Sequence, residues 1–246
     1  MRPPPLPSQI DVLSRVLELI SRHPEGCGPP LVVFDLDGTL FDNRPRTLQI
    51  LMDYSDEVAD ELPDVAQCLG QLTTDKIRYL LTDTLRGVGV TRTDDVRDIS
   101  QYWHGRFFSD DFLHCDVACD GAAEYVGSCH EAGATVVYLT GRDVPGMLVG
   151  TAASLREHSF PIGKAGVELV LKPDAGLADE AFKRMVLPTL SRAGQVVGFF
   201  DNEPANCNEA FACYPDAYVV LLETQRVDGA PECDEGVHRL VDFRIL

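Results

Sequence analysis

The sequence predicts an α/β protein: a doubly wound (Rossmann-like) parallel sheet with a mostly helical cap inserted into it. Three observations carry this. Beyond residue 116, short apolar runs alternate with stretches of helical spacing, the pattern of βαβ units. Those runs lack polar alternation, as strands covered on both faces do. Residues 43–115 instead show helical spacing throughout, with no convincing strand. The core is therefore assigned to residues 1–42 and 116–246, and the cap to 43–115.

Residues 1–7 are proline-rich and read as a loose leader. Ile10, Leu13, Leu17 and Ile20 mark an amphipathic helix from Ser8 to about Arg22, and the Pro- and Gly-rich stretch 23–30 is a connector. Leu31 to Phe34 form a buried strand, which Pro29 and Pro30, lacking N–H donors, should not enter. In the cap, Ile50, Leu51, Tyr54 and Val58 give one helix. Val65 through Leu85 give one or two more, a break follows at Gly87 to Gly89, and Val96 to Phe108 give the last. The chain then returns to the core through a helix near 121–131. Further strands are expected at 135–139, 167–171, 196–200 and 217–222, with helices at 144–158, 179–191 and 203–212.

In such sheets ligands bind beyond the carboxyl ends of the strands, where several polar residues fall. Asp35, Leu36, Asp37, Gly38 and Thr39 follow the first strand. A carboxylate there can attack an electrophile covalently. A second one can protonate a leaving oxygen and then deprotonate water. Gly38 permits a sharp turn whose amides face an anion. Thr140, Gly141 and Arg142 end the next strand and offer a hydroxyl, amides and a guanidinium to phosphate oxygens. Asp201, with Asn202, Glu203 and Asn206 behind it, ends another and could complete an oxygen shell for Mg²⁺.

Phe34-Asp-Leu-Asp-Gly-Thr-Leu40 closely resembles the first signature of the haloacid dehalogenase superfamily. Leu139-Thr140-Gly141 is similar to its second motif, and the run ending in Asp201 to its fourth. The resemblance covers roughly residues 31–42 and 116–222. It implies a Mg²⁺-dependent phosphatase of a small phosphorylated metabolite. Asp35 would be the nucleophile that forms an aspartyl phosphate, and Asp37 the general acid and base. Thr140 and Lys183 would hold phosphoryl oxygens together with backbone amides near Leu36. It also implies a lysine, and two compete. Lys183 is favoured because it lies 18 residues before Asp201, while Lys172, at a strand end, is left as a substrate contact with Thr39, Gly141 and Arg142. Asp35, Asp37, Asp201 and Asn202 are the implied metal residues. The departure is in the fourth motif, where a second acidic residue is usual and Asn202 and Asn206 stand. The alternatives are a phosphomutase, or a catalytically weak binding protein keeping the fold.

Bulk properties bound the partners. With 21 basic against 39 acidic residues and a net charge of −18, neither nucleic acid nor an anionic membrane is expected as partner. There is no signal-peptide apolar region, and the eight cysteines are scattered, so a reduced, cytoplasmic protein is expected. Cys115, Cys119, His114 and His130 lack a second matched pair, which argues against zinc. Trp103, Phe107 and Phe108 read first as core residues, with contact to a leaving group as the other possibility. Nothing in the sequence sets the oligomeric state.

Overall fold

The computed structural model describes residues 7–24, 26 and 28–245; the first six residues of the expected leader lie outside them. The chain opens with α1 (Pro7–Ser21), so Pro7 belongs to the helix, where a first-turn proline gives up no hydrogen bond. Next come β1 (Pro30–Phe34), β2 (Phe41–Asp42) and α2 (Arg44–Glu57). The segment between contains α3 (Pro63–Leu69), a 3-10 turn at Thr74–Lys76, α4 (Leu81–Gly87), α5 (Thr93–Phe107) and a second 3-10 turn at Asp110–Cys115. Then follow β3 (Val117–Ala118), α6 (Ala122–Glu131), β4 (Thr135–Asp143), α7 (Val144–Glu157) and β5 (Val167–Lys172). The chain closes with α8 (Asp179–Leu190), β6 (Gln195–Asp201), α9 (Pro204–Cys213), β7 (Tyr218–Leu222) and β8 (His238–Leu240).

The six longer-range strands form one sheet in the order β5-β4-β1-β6-β7-β8, every neighbouring pair parallel. β1 sits in the middle and is buried along its whole length. Its side chains alternate between two apolar layers, which is why an unbroken apolar run was needed. Val32 and Phe34 join Leu13 and Val16 of α1 and Tyr125 and Val126 of α6. Leu31 and Val33 join Phe182 and Leu187 of α8 and Cys207 and Ala210 of α9. Phe34 stacks on Phe200 of the adjacent strand, ring centroids 4.9 Å apart. The helices between β2 and β3 close around a third cluster of their own, centred on Leu51, Leu69, Leu85 and Ile99.

Four local readings need correction. Pro30 does enter β1, paired with Gln195, because a strand's first residue has no ladder bond to lose there. β4 runs on through Thr140-Gly-Arg-Asp143, its register against β5 shifting between Leu139 and Asp143. β2 and β3 form a two-residue antiparallel ribbon beneath the inserted helices. β8 is a sixth strand, and at three residues it left no periodic trace in the sequence.

Candidate functional site

Because β4, β1 and β6 are neighbours, their carboxyl ends put Thr140, Asp35 and Asp201 side by side. Asp35 lies one residue beyond β1, its amide donating to Phe200 O at 2.9 Å. Lys183, one turn into α8, donates from Nζ to Asp35 Oδ1 at 2.6 Å and to Asp201 Oδ2 at 2.7 Å. All three side chains are buried. Burial pushes Asp35 up to about 7, with Lys183 pulling down and Asp201 adding to the rise. Burial by itself lowers the Lys183 ammonium, yet Asp201 and Asp35 hold it above its ordinary value, so it stays charged. Asp201 Oδ1 also accepts from the Glu203 amide at 2.8 Å, and Asn206 Nδ2 lies 3.2 Å from both Asp201 oxygens.

Asp37 sits in a different company. Arg142 Nε and Nη2 donate to its two oxygens at 2.8 and 2.9 Å, and Arg46 Nη2 donates to Oδ1 at 2.6 Å. Both arginines also grip Asp116, Arg46 from Nε at 2.8 Å and Arg142 from Nη2 at 2.8 Å. Burial alone would raise Asp37, but Arg142 and Arg46 outweigh it and hold the carboxyl well below its usual range. Arg46 and Asp116 carry no motif. Arg46 shares the face of α2 that holds Ile50 and Tyr54, so the helical period marks it as a buried charge needing partners.

The remaining candidates divide by what they touch. Gly38 has φ +83°, and a Cβ there would lie 2.5 Å from Asn202 Nδ2, so the turn is open to glycine and little else. Asn202 donates to Gln225 O at 2.9 Å and accepts weakly from Thr39 at 3.4 Å, which ties the first-motif turn to the loop after β7. Leu36 points into the core while its carbonyl accepts from the amides of Thr39, Leu40 and Phe41. The buried Thr140 hydroxyl accepts from the Arg142 amide at 3.2 Å. Gly141 leaves room for the Asp179 carboxylate, 2.2 Å from where a Cβ would be. Lys172 is buried, bonded to Asp179 at 2.6 Å and Leu177 O at 2.9 Å, and braces the α8 entry rather than lining the cleft.

A cleft of about 540 Å³ opens over Asp35, Asp37 and Lys183, within the usual size of ligand sites. The inserted segment roofs it with Thr47, Ile77, Tyr79, Trp103, Phe107 and Phe108. Asp35 and Asp201 with Lys183 carry a formal charge of −1 on oxygen donors, which suits a hard divalent ion such as Mg²⁺. Among the described residues no three Asp, Glu, His or Cys side chains converge on one point. The chain thus offers an ion two carboxylates, leaving the rest of its shell to other oxygens, as Mg²⁺ tolerates.

No family model matches the sequence, and no curated protein does either. Solved structures do match. The chain is similar to Protein Tyrosine Kinase A of Mycobacterium tuberculosis at 17% identity over 88% of this chain and 95% of that one, with a TM-score of 0.52. It is also similar to a haloacid dehalogenase-superfamily hydrolase from Geobacter sulfurreducens, at 12% identity over 89% and 95% of the two chains, TM-score 0.48. A haloacid dehalogenase-like hydrolase from Streptococcus pneumoniae gives 13%, 78%, 84% and 0.47 in the same terms. The likeness is one of fold: a parallel, helix-covered sheet with a mostly helical segment inserted after its first strand. No helix among the described residues is long and apolar enough to cross a membrane.

Proposed function

We propose that the chain is a phosphohydrolase that takes the phosphoryl group of a small monoester onto Asp35 and passes it to water. The observation that carries this reading is the bridge from Lys183 Nζ to Asp35 and Asp201, three residues brought from separate elements to one sheet edge. Asp35 Oδ attacks phosphorus, the ester oxygen leaves with the bonding pair, and water then cleaves the acyl phosphate. Lys183 and the amides of Leu36 and Asp37 face the charge on the transferring group, so catalysis rests on positioning and charge stabilisation. Mg²⁺, held by Asp35, Asp201 and the Asp37 carbonyl, would supply Lewis-acid neutralisation of phosphate charge when bound. Gly141 of the second motif lines the cleft, and the buried Thr140 hydroxyl behind it holds the Arg142 amide.

Asp37 is the proposed proton carrier, with a condition attached. Held by two arginines it is ionised, so it can give a proton to the leaving oxygen only when one of them lets go. Arg46 rides on α2 just past β2, at the neck where the chain leaves the core, and displacement of that helix would both open the cleft and release Asp37.

A second reading is supported by Asn206, which covers both oxygens of Asp201: a phosphate-binding protein with little turnover. Phosphate release from aryl and alkyl phosphates with and without Mg²⁺ separates the two. Wild type should turn over with the metal, and Asp35→Asn should lose at least about a thousandfold in kcat while keeping its circular dichroism. Equal turnover in the variant would remove Asp35 as nucleophile, and no turnover by wild type would favour the binding protein.

A further inference from the structure

We propose that the ester this cleft takes carries a flat aromatic group with no second anionic substituent; this rests on the phosphohydrolase reading above. The roof of the cleft is an aromatic shelf. Trp103 and Phe107 stack at 4.5 Å and 29°, and Phe108 meets both edge-on, 5.9 and 5.0 Å away. These three rings belong to none of the three apolar clusters that hold the protein together, including that of the helices that carry them. They line the cleft with Asp35 and Lys183 instead, and Phe108 is 40% exposed. A large apolar surface left out of every core and turned to a cavity is a surface awaiting an apolar ligand.

The shelf is also held rigid. Trp103 Nε1 donates to Thr47 Oγ1 at 3.2 Å, and the Arg46 guanidinium lies 4.4 Å from the Phe107 ring centre. Arg46 is fixed in turn by Asp37 and Asp116, so the shelf's position is tied to the catalytic edge. A fixed aromatic surface favours an aromatic partner, because ring-on-ring contact then loses little conformational freedom. A polyol there would set hydroxyls against rings instead of partners, a modest penalty. Asp179, Glu180 and Glu203 also line the cleft and disfavour a further phosphate or carboxylate, while Arg78 is the cationic side chain of the roof.

The chain has one tryptophan, and it is Trp103, so its fluorescence reports directly on the shelf. Benzylphosphonate, which cannot be hydrolysed, should change that emission saturably in wild type with Mg²⁺, and inorganic phosphate should compete it away. Cyclohexylmethylphosphonate, matched in size but not flat, should bind about tenfold more weakly, the order expected of one aromatic pair. In turnover, benzyl phosphate should exceed cyclohexylmethyl phosphate, whose alkoxide is of similar basicity, and a hexose 6-phosphate by about tenfold in kcat/KM. Phe108→Ala and Trp103→Leu should each erase most of that preference, mainly through KM. Similar efficiency on all three esters, or a preference that survives in both variants, overturns the aromatic assignment alone. Saturable phosphonate binding with no phosphate released from any ester overturns the phosphohydrolase reading and leaves the shelf standing as a binding surface.

Discussion

Two buried ion clusters lie within a few residues of each other in this protein, and they are built to opposite rules. Asp35 and Asp201 share one lysine, leaving a formal charge of −1 at the sheet edge. Asp37 and Asp116 share two arginines, which makes the neck neutral. Neighbouring aspartates in one tripeptide are therefore driven in opposite directions, Asp35 upward and Asp37 downward. A self-neutral cluster holds elements together while closed, and in the proposed reaction must open for Asp37 to carry a proton. An under-neutralised one keeps its charge only with help from outside, which is what a site for a cation and a transferring phosphoryl group requires.

The largest test of this contrast is Arg46→Met. It turns the neutral quartet into two carboxylates around one cation, a copy of the first cluster's imbalance. We expect a loss of about 3 kcal/mol in urea unfolding, the lower end for a broken buried pair because Arg142 stays. A loss below about 1 kcal/mol would mean that the neck cluster holds nothing. Adding Asp116→Leu to Arg46→Met should recover part of the loss, since charge balance returns.

A smaller effect is expected at the turn between the clusters. Gly38→Ala places a methyl at φ +83° against Asn202, and should cost about 2 kcal/mol. Thermal unfolding checks it; unchanged stability would show that Asn202 moves freely and does not pin the turn.

The smallest effect is also the most discriminating, because its sign differs between the clusters. In chelator, folded Asp35 titrates near 7, whereas an unfolded aspartate titrates at about 3.9. Its stabilising contribution is then present below about pH 4 and lost as pH rises toward 7. Asp37 is depressed, so its contribution is present above about pH 4 and lost only as pH falls through its folded value. Urea midpoints against pH should flatten between 4 and 7 in Asp35→Asn, and below 4 in Asp37→Asn. An unaltered slope in Asp35→Asn would contradict the difference drawn between the two.

How legible was this in the sequence? The sheet was, because strands buried on both faces must be apolar runs, and the polar residues that interrupt them stand at their carboxyl ends. The choice of Lys183 over Lys172 came from position before β6, and Lys183 is the one that meets both carboxylates. The neck cluster was not legible. Asp116 lies 70 residues from Arg46, and no local pattern joins them; only the helical stripe through Ile50 and Tyr54 hinted that Arg46 is buried. The aromatic shelf was misleading for a related reason. Trp103, Phe107 and Phe108 have the spacing of a core face, and periodicity tells which residues share a face but not whether that face meets a core or a cavity. The ribbon of β2 and β3 and the short β8 are too brief for any period to register.

The central claim is that the Asp35 carboxylate, beside Lys183, is built to carry a phosphoryl group. Beryllium fluoride with Mg²⁺ mimics such a group on an aspartate, and a thermal-shift measurement reads it without turnover. Wild type should gain several degrees with the two together, as a ligand bound only by the folded state requires, while Asp35→Asn should gain none beyond the effect of Mg²⁺. An equal gain in both proteins, or none in wild type, would contradict the account.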